Sequence, residues 1–256
     1  MGFETEKGFG LGMTVFDLVL YNSEDDVLEC RLWELADAVD VMVVLEGDRT
    51  FTGKPKIKAP RDRFKRWGSL IHWVDYSTPF ADDAWTVEAA TRNHLLKVAD
   101  GLGCGPDDVV TICDVDEIWS PSMVADFVVE RCAVMMRHLA MSVHWELPFE
   151  LTCVAGPRRM IGVDADQFRR NRAEYRRLFG GWHVAWMGGE EWCANKIRSF
   201  SHQELNKGDV DAAMAHCFRE GVFVHGEVYN EVEITDDWPL WIRDGHAPAS
   251  WYRRRG

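Results

Sequence analysis

Asp114, Asp116 and Glu117 follow the apolar run 109–113 directly, in the segment Asp114-Val115-Asp116-Glu117-Ile118. Alternate residues of an extended segment face the same side, so Asp114 and Asp116 can address one ligand together. Two converging carboxylates repel each other unless a cation lies between them. Mg²⁺ and Mn²⁺ suit such oxygen donors and commonly hold substrate phosphates as well. The plainer alternative is a solvated acidic turn that caps the helix opened by Pro121.

A second cluster spans Gly180-Gly181-Trp182-His183 and Gly188-Gly189-Glu190-Glu191-Trp192. Its glycines permit tight turns and close approach of backbone to a ligand. A carboxylate opening a helix is well placed as a general base, which marks Glu190 and Glu191. His183 and His202 are candidate metal ligands. Glycine turns, a helix-starting Glu pair and a core histidine account for the same residues without any chemistry.

These groups need elements to position them. The run 14–21 is β-branched and aromatic, as in a buried strand. Ser23 with Asp26 three residues on resembles a capping box, followed by a helix carrying Leu28, Leu32 and Leu35 on one face. The run 39–45 is a second strand, and strand–helix–strand at this spacing is the signature of a parallel sheet. A strand is expected over 70–74, a helix over 84–99 with Trp85, Ala89, Leu96 and Ala99 inward, and a strand over 109–113. Longer strands are expected over 133–147 and 151–163, and helices over 190–199 and 210–219. In an open sheet of this kind ligands bind beyond the carboxyl ends of the strands, where the acidic segment falls.

The chain has 256 residues, enough for one α/β domain with a sizeable core. Residues 1–13 read as a flexible leader and 14–256 as a single domain, with 14–131 forming a nucleotide-binding half and 132–256 an acceptor half. The net charge of −13 argues against a broad nucleic-acid footprint. Arginines 169, 170, 172, 176 and 177 are the main basic exception, and arginines 253, 254 and 255 are the other. The 12 tryptophans suit a bulky core or a sugar-stacking cleft. The 7 cysteines include no CxxC pair, which points to a reduced, cytoplasmic setting. No apolar run reaches the ~18 residues needed to span a membrane.

The ordered segments also resemble a known family. They are Phe16-Asp17 through Asn22, Asp26 through Leu35, Val39-Asp40 to Glu46, Thr50-Phe51-Thr52-Gly53-Lys54-Pro55, Asp107-Asp108 through Ile118, Gly181-Trp182-His183, and Lys196-Ile197-Arg198-Ser199-Phe200-Ser201-His202. Together they resemble glycosyltransferase family 17, which includes the eukaryotic enzyme that adds the bisecting N-acetylglucosamine to N-glycans. The resemblance implies a GT-A fold, with a central, mostly parallel sheet flanked by helices. It implies a UDP-sugar donor carrying N-acetylglucosamine or glucose, a divalent metal, and inverting transfer to a hydroxyl. It assigns Asp114 and Asp116 to the metal and donor phosphates, with His202 first and His183 second as the completing ligand. Glu191, then Glu190, would be the base. Asn22, Glu46, Arg92 and Trp182 would line the donor. The acceptor would be a glycan, a small molecule or a hydroxylated base of phage-type DNA. A silent sugar-binding protein and a nucleotidyltransferase are the readings from other classes.

Overall fold

The computed structural model describes residues 12–254; the leader expected at 1–13 lies outside them except for Gly12 and Met13. The expected elements of the first half form. They are β1 (Val15–Tyr21), α1 (Asp25–Leu35), β2 (Val41–Gly47), β3 (Ile71–Tyr76), α2 (Ala84–Gly101) and β4 (Val109–Asp114). A two-residue strand β5 (Glu117–Ile118) and a short helix α3 (Val124–Phe127) follow. The second half contains β6 (Cys132–Ala140), β7 (Trp145–Pro157), α4 (Ala165–Arg170), β8 (Arg176–Ala185), α5 (Glu190–Ile197), α6 (Val210–Glu220), β9 (Asn230–Glu231) and α7 (Leu240–Arg243).

One sheet joins the strands in the order β3-β2-β1-β4-β7-β6-β8-β5, with β9 on β7. It is mixed rather than mostly parallel, which corrects the expectation. β1 pairs in parallel with β2 and β4, β2 with β3, and β6 with β8, whereas β4–β7, β6–β7, β5–β8 and β7–β9 are antiparallel. The first half follows the helix-crossover rule for parallel strands. β6 and β7 instead follow one another through a short turn, which forces them antiparallel.

Alternation along β1 divides the core. Val15, Val19 and Tyr21 pack with Leu28, Leu32 and Leu35 of α1, while Phe16, Leu18 and Leu20 pack with Leu95, Leu96 and Ala99 of α2. Burying side chains of this size stabilises by roughly 1.5–3 kcal/mol each, which fixes the strand ends that carry the polar groups. A third cluster joins α5 and α6 to Trp145 and Ala185. Trp119, Trp145, Trp241 and Trp251 are fully buried, so much of the tryptophan excess is core.

Several local expectations are corrected. The Ser23 capping box does not form: α1 begins after Glu24 with no side-chain cap, and Ser23 takes φ 66°. The N-cap of α2 is Asp83, which accepts from the N–H groups of Trp85 and Thr86. Trp85 lines a cavity at the sheet's carboxyl edge and does not pack into the core. The long strands end earlier than expected, the turn falling after Ala140. β8 forms where the arginines and paired glycines of the sequence suggest a basic strip and a loop. Gly181 allows its passage. There φ is 80°, and a Cβ would meet the Ile118 carbonyl oxygen and lie 2.8 Å from Trp119 Cα. Cys113 and Cys153 form a disulfide across β4 and β7, with Cα atoms 4.8 Å apart, a pairing the scattered cysteines did not suggest.

Candidate functional site

A cavity of about 1130 Å³ opens at the carboxyl ends of β1, β2 and β4. Asp114 ends β4 and reaches it, followed at once by the turn that carries Asp116 and Glu117. A buried ion pair holds this turn from below. Asp17, in the middle of apolar β1, receives Arg31 Nη2 at 2.6 Å and Nε at 2.8 Å, and both side chains are fully buried. Arg31 Nη1 donates to the Glu117 carbonyl at 2.7 Å and, at 3.4 Å, to those of Asp114 and Val115. The acidic turn is therefore fixed through its backbone, leaving its carboxylates for other partners.

Those partners are cations of the chain itself. Arg92 of α2 donates to Asp114 Oδ1 at 3.2 Å and to Asp166 at 2.6 Å. Arg169 of α4 donates to Asp114 Oδ2 at 2.9 Å and to Glu117 at 2.6 Å. Lys196 of α5 bridges Glu24 at 2.9 Å and Asp116 Oδ2 at 3.0 Å. Asp116 Oδ1 faces His183 Nε2 at 3.6 Å. Buried charges persist only when paired in this way.

The electrostatics follow the geometry. Burial pushes the Asp116 carboxyl up, but Lys196 and His183 outweigh it and hold the group well below its ordinary range. Burial also opposes ionisation of Asp114, and Arg169 and Arg92 overcome it. For Glu24 and Glu117 burial prevails and their carboxyls rise, despite Lys196 and Arg169 respectively. Burial disfavours a charged Lys196, yet Asp116 and Glu24 hold its proton firmly.

The opposite wall carries His138 of β6, Glu150 of β7 and His183 of β8. Glu150 Oε2 lies 3.1 Å from His138 Nδ1 and 2.8 Å from His183 Nδ1. The two rings stack at 4.6 Å, as their register across β6 and β8 requires. Burial, then the neighbouring His183 charge, presses His138 down to about 3, so its ring is neutral. Burial resists ionisation of Glu150, but the His183 hydrogen bond and charge bring it to about 2. Burial disfavours a protonated His183; Asp116 and Glu150 together raise it well above the usual histidine value.

The residues singled out from sequence are divided by the fold. Asn22, Arg92, Asp114, Asp116, His183 and His202 line the cavity. His202 stands beside Trp85, ring centroids 4.4 Å apart, and pairs with Glu204 at 2.6 Å. Glu46 does not line it: that side chain is buried, held by the Ala59 N–H and by Arg61 at 2.9 Å. Trp182 packs on the core beside β5 instead. Glu190 and Glu191 are exposed and lie outside the cavity lining, Glu190 facing Arg253 at 3.4 Å.

The basic strip does not form as read. Arg169 points inward, Arg170 pairs with Asp166 at 2.6 Å, Arg172 donates to the Leu151 carbonyl and Arg176 pairs with Asp126 at 2.8 Å. Support for a DNA acceptor goes with it.

Lys196, Arg169, Glu24, His138 and Glu150 were not picked out as site residues. The last two come from separate strands and meet only through register. Glu24 carried a signal, since it follows β1 on the binding edge beside Asn22. Asp17 carried another, as a lone charge inside an apolar strand.

The glycosyltransferase family 17 model matches residues 7–207. The chain is 27% identical over 242 residues to the beta-1,4-mannosyl-glycoprotein 4-beta-N-acetylglucosaminyltransferases of Homo sapiens and Rattus norvegicus, covering 77% of this chain and 45% of each relative. The protein of that name from Mus musculus matches to the same extent. The chain thus spans about half the length of the curated relatives it matches.

Proposed function

This chain belongs to glycosyltransferase family 17, and from that premise we propose that it moves a sugar from a nucleotide-sugar donor to an acceptor hydroxyl. The observation that carries the reading is the convergence of Arg92, Arg169 and Lys196 on Asp114 and Asp116 at the sheet's carboxyl edge. A donor diphosphate needs positive charge there, most of all as charge builds on the leaving phosphate. Arginine supplies it in a planar, two-pronged form and lysine as a point charge. The preferred donor is UDP-linked N-acetylglucosamine or glucose, and the acceptor a glycan. The names of the relatives support N-acetylglucosamine on a mannosyl glycan.

The expected metal clamp at Asp114 and Asp116 is a poorer fit. All four carboxylate oxygens face chain groups: Arg92 and Arg169 on Asp114, His183 and Lys196 on Asp116. We therefore assign phosphate neutralisation to the chain's own cations and route no step through a metal on this pair. The acidic residues serve to hold those buried cations in place at the cavity lining.

The test is a panel of UDP-sugars with mannose-containing glycan acceptors, following UDP release. Acceptor-stimulated release from one donor is expected. Absence of both turnover and UDP binding would remove the proposal, and pyrophosphate release from a nucleoside triphosphate would replace it with nucleotidyl transfer.

A further inference from the structure

We propose that His138, Glu150 and His183 form a binding site for a borderline divalent metal of the Zn²⁺ type, separate from the Asp114/Asp116 pair. Their three donor atoms lie within 4.8 Å of one another. Two histidine nitrogens and one carboxylate make a donor set that suits first-row transition metals rather than the all-oxygen preference of Mg²⁺.

Three observations converge. First, both Nδ1 atoms lie near the same oxygen, Glu150 Oε2, at 3.1 and 2.8 Å, the second as a hydrogen bond. Second, His138 is 7% exposed, and its Nε2 is buried without a hydrogen-bond partner, while its Nδ1 lies 3.1 Å from Glu150. Burying a polar ring in this way is costly unless its other nitrogen is well used. Third, His183 offers Nε2 to Asp116 at 3.6 Å while its Nδ1 faces Glu150. A ligating histidine commonly donates its second N–H to a carboxylate, which fixes the ring. Asp116 is the carboxylate facing that second nitrogen, and a metal would displace the Nδ1 proton that Glu150 otherwise accepts.

Glu150 keeps nearly half of its side chain exposed to the cavity, so a metal here retains open coordination positions on the ligand side. The site stands on its own geometry and does not depend on the transfer reading, although a metal held there would face the same cavity.

The experiment is equilibrium dialysis of the purified chain against Zn²⁺, with Co²⁺ absorption as the spectroscopic probe. UDP titration of the same samples keeps a failure of this site distinguishable from a failure of donor binding. One equivalent is expected in the wild type, with visible Co²⁺ bands of a nitrogen-containing site. Glu150→Gln, on an exposed position, should weaken Zn²⁺ at least about tenfold, and His138→Gln and His183→Asn likewise, each checked for fold by circular dichroism. Asp114→Asn should leave Zn²⁺ affinity within about twofold. No stoichiometric binding to the wild type would overturn the proposal. So would binding that survives Glu150→Gln but is lost in Asp114→Asn, which would return the metal to the paired aspartates.

Discussion

Arg31 and Asp17 pair at 2.6 Å with no exposure of either side chain, and the same guanidinium carries the acidic turn on its outer edge through the Glu117 carbonyl at 2.7 Å. The pair lies beneath the site and touches the cavity only through that backbone. Removing one partner strands a buried charge, which costs about 3–5 kcal/mol. Arg31→Met and Asp17→Asn should each lower stability by this order in urea unfolding. The double variant Asp17→Leu/Arg31→Met should recover part of the loss, because no isolated charge remains although Thr111 Oγ1, Trp119 Nε1 and the Glu117 carbonyl each lose a partner. Equal loss in the double variant would show that the pair acts otherwise.

Lys196 bridges Glu24 and Asp116 across the cavity floor. In Lys196→Met the two carboxylates face each other with less compensation. UDP affinity should fall at least about tenfold, since charge-assisted contacts to phosphate contribute roughly 1.5–3 kcal/mol. Titration calorimetry reads this directly, and unchanged affinity would remove Lys196 from the donor site.

Glu190 and Glu191 open α5 on an exposed face away from the cavity lining. Glu191→Gln and Glu190→Gln should each keep acceptor-dependent transfer within about twofold, which is a change of less than about 0.5 kcal/mol in barrier. A loss beyond about a hundredfold would return the base to this helix.

Lys56 supplies a pH dependence. Its ammonium donates to the Tyr21 carbonyl at 2.8 Å at the cavity wall, and burial lowers it to about 8. The folded-state value lies below the ordinary 10.5, so between these values the unfolded chain binds a proton that the folded chain does not. The contribution of Lys56 to stability therefore rises with pH across about 8 to 10.5 and is an unrelieved penalty below 8. Lys56→Met should remove that slope from the pH profile of unfolding. The amine of the folded protein should acylate with a midpoint near 8; a midpoint near 10.5 would contradict the burial argument.

Gly181 tests the passage of β8 over β5. Gly181→Ala places a Cβ against Ile118 and Trp119 at a positive φ. It should destabilise by about 1–3 kcal/mol or more and disturb the position of His183, two residues on. Thermal unfolding and UDP affinity should both fall, whereas Gly189→Ala, which has a positive φ but open space, should show strain alone.

How much of this was legible in the sequence depended on whether a feature was local. β1, α1, β2, β3, α2 and β4 were readable because apolar periodicity and crossover spacing are properties of short windows. The acidic turn was readable for the same reason, since it follows directly on a buried strand. β8 was hidden because Arg176, Arg177 and the pair Gly180-Gly181 obey the needs of neighbouring strands, not an alternation of their own. The partners of the aspartates were hidden too. Arg169 lies 55 residues from Asp114 and Lys196 lies 80 from Asp116, and no spacing rule links them. Reading Arg169 as part of a surface strip failed because tertiary burial, not local charge, decides where a guanidinium points.

The most direct measurement of the central claim is calorimetric titration of UDP and UDP-N-acetylglucosamine into the wild type and into Arg169→Met. Saturable binding to the wild type is expected, weakened at least about tenfold in the variant, which should be less stable because Asp114 and Glu117 lose their partner but still folded by circular dichroism. Binding of equal strength to both proteins, or no binding to either, would contradict that claim.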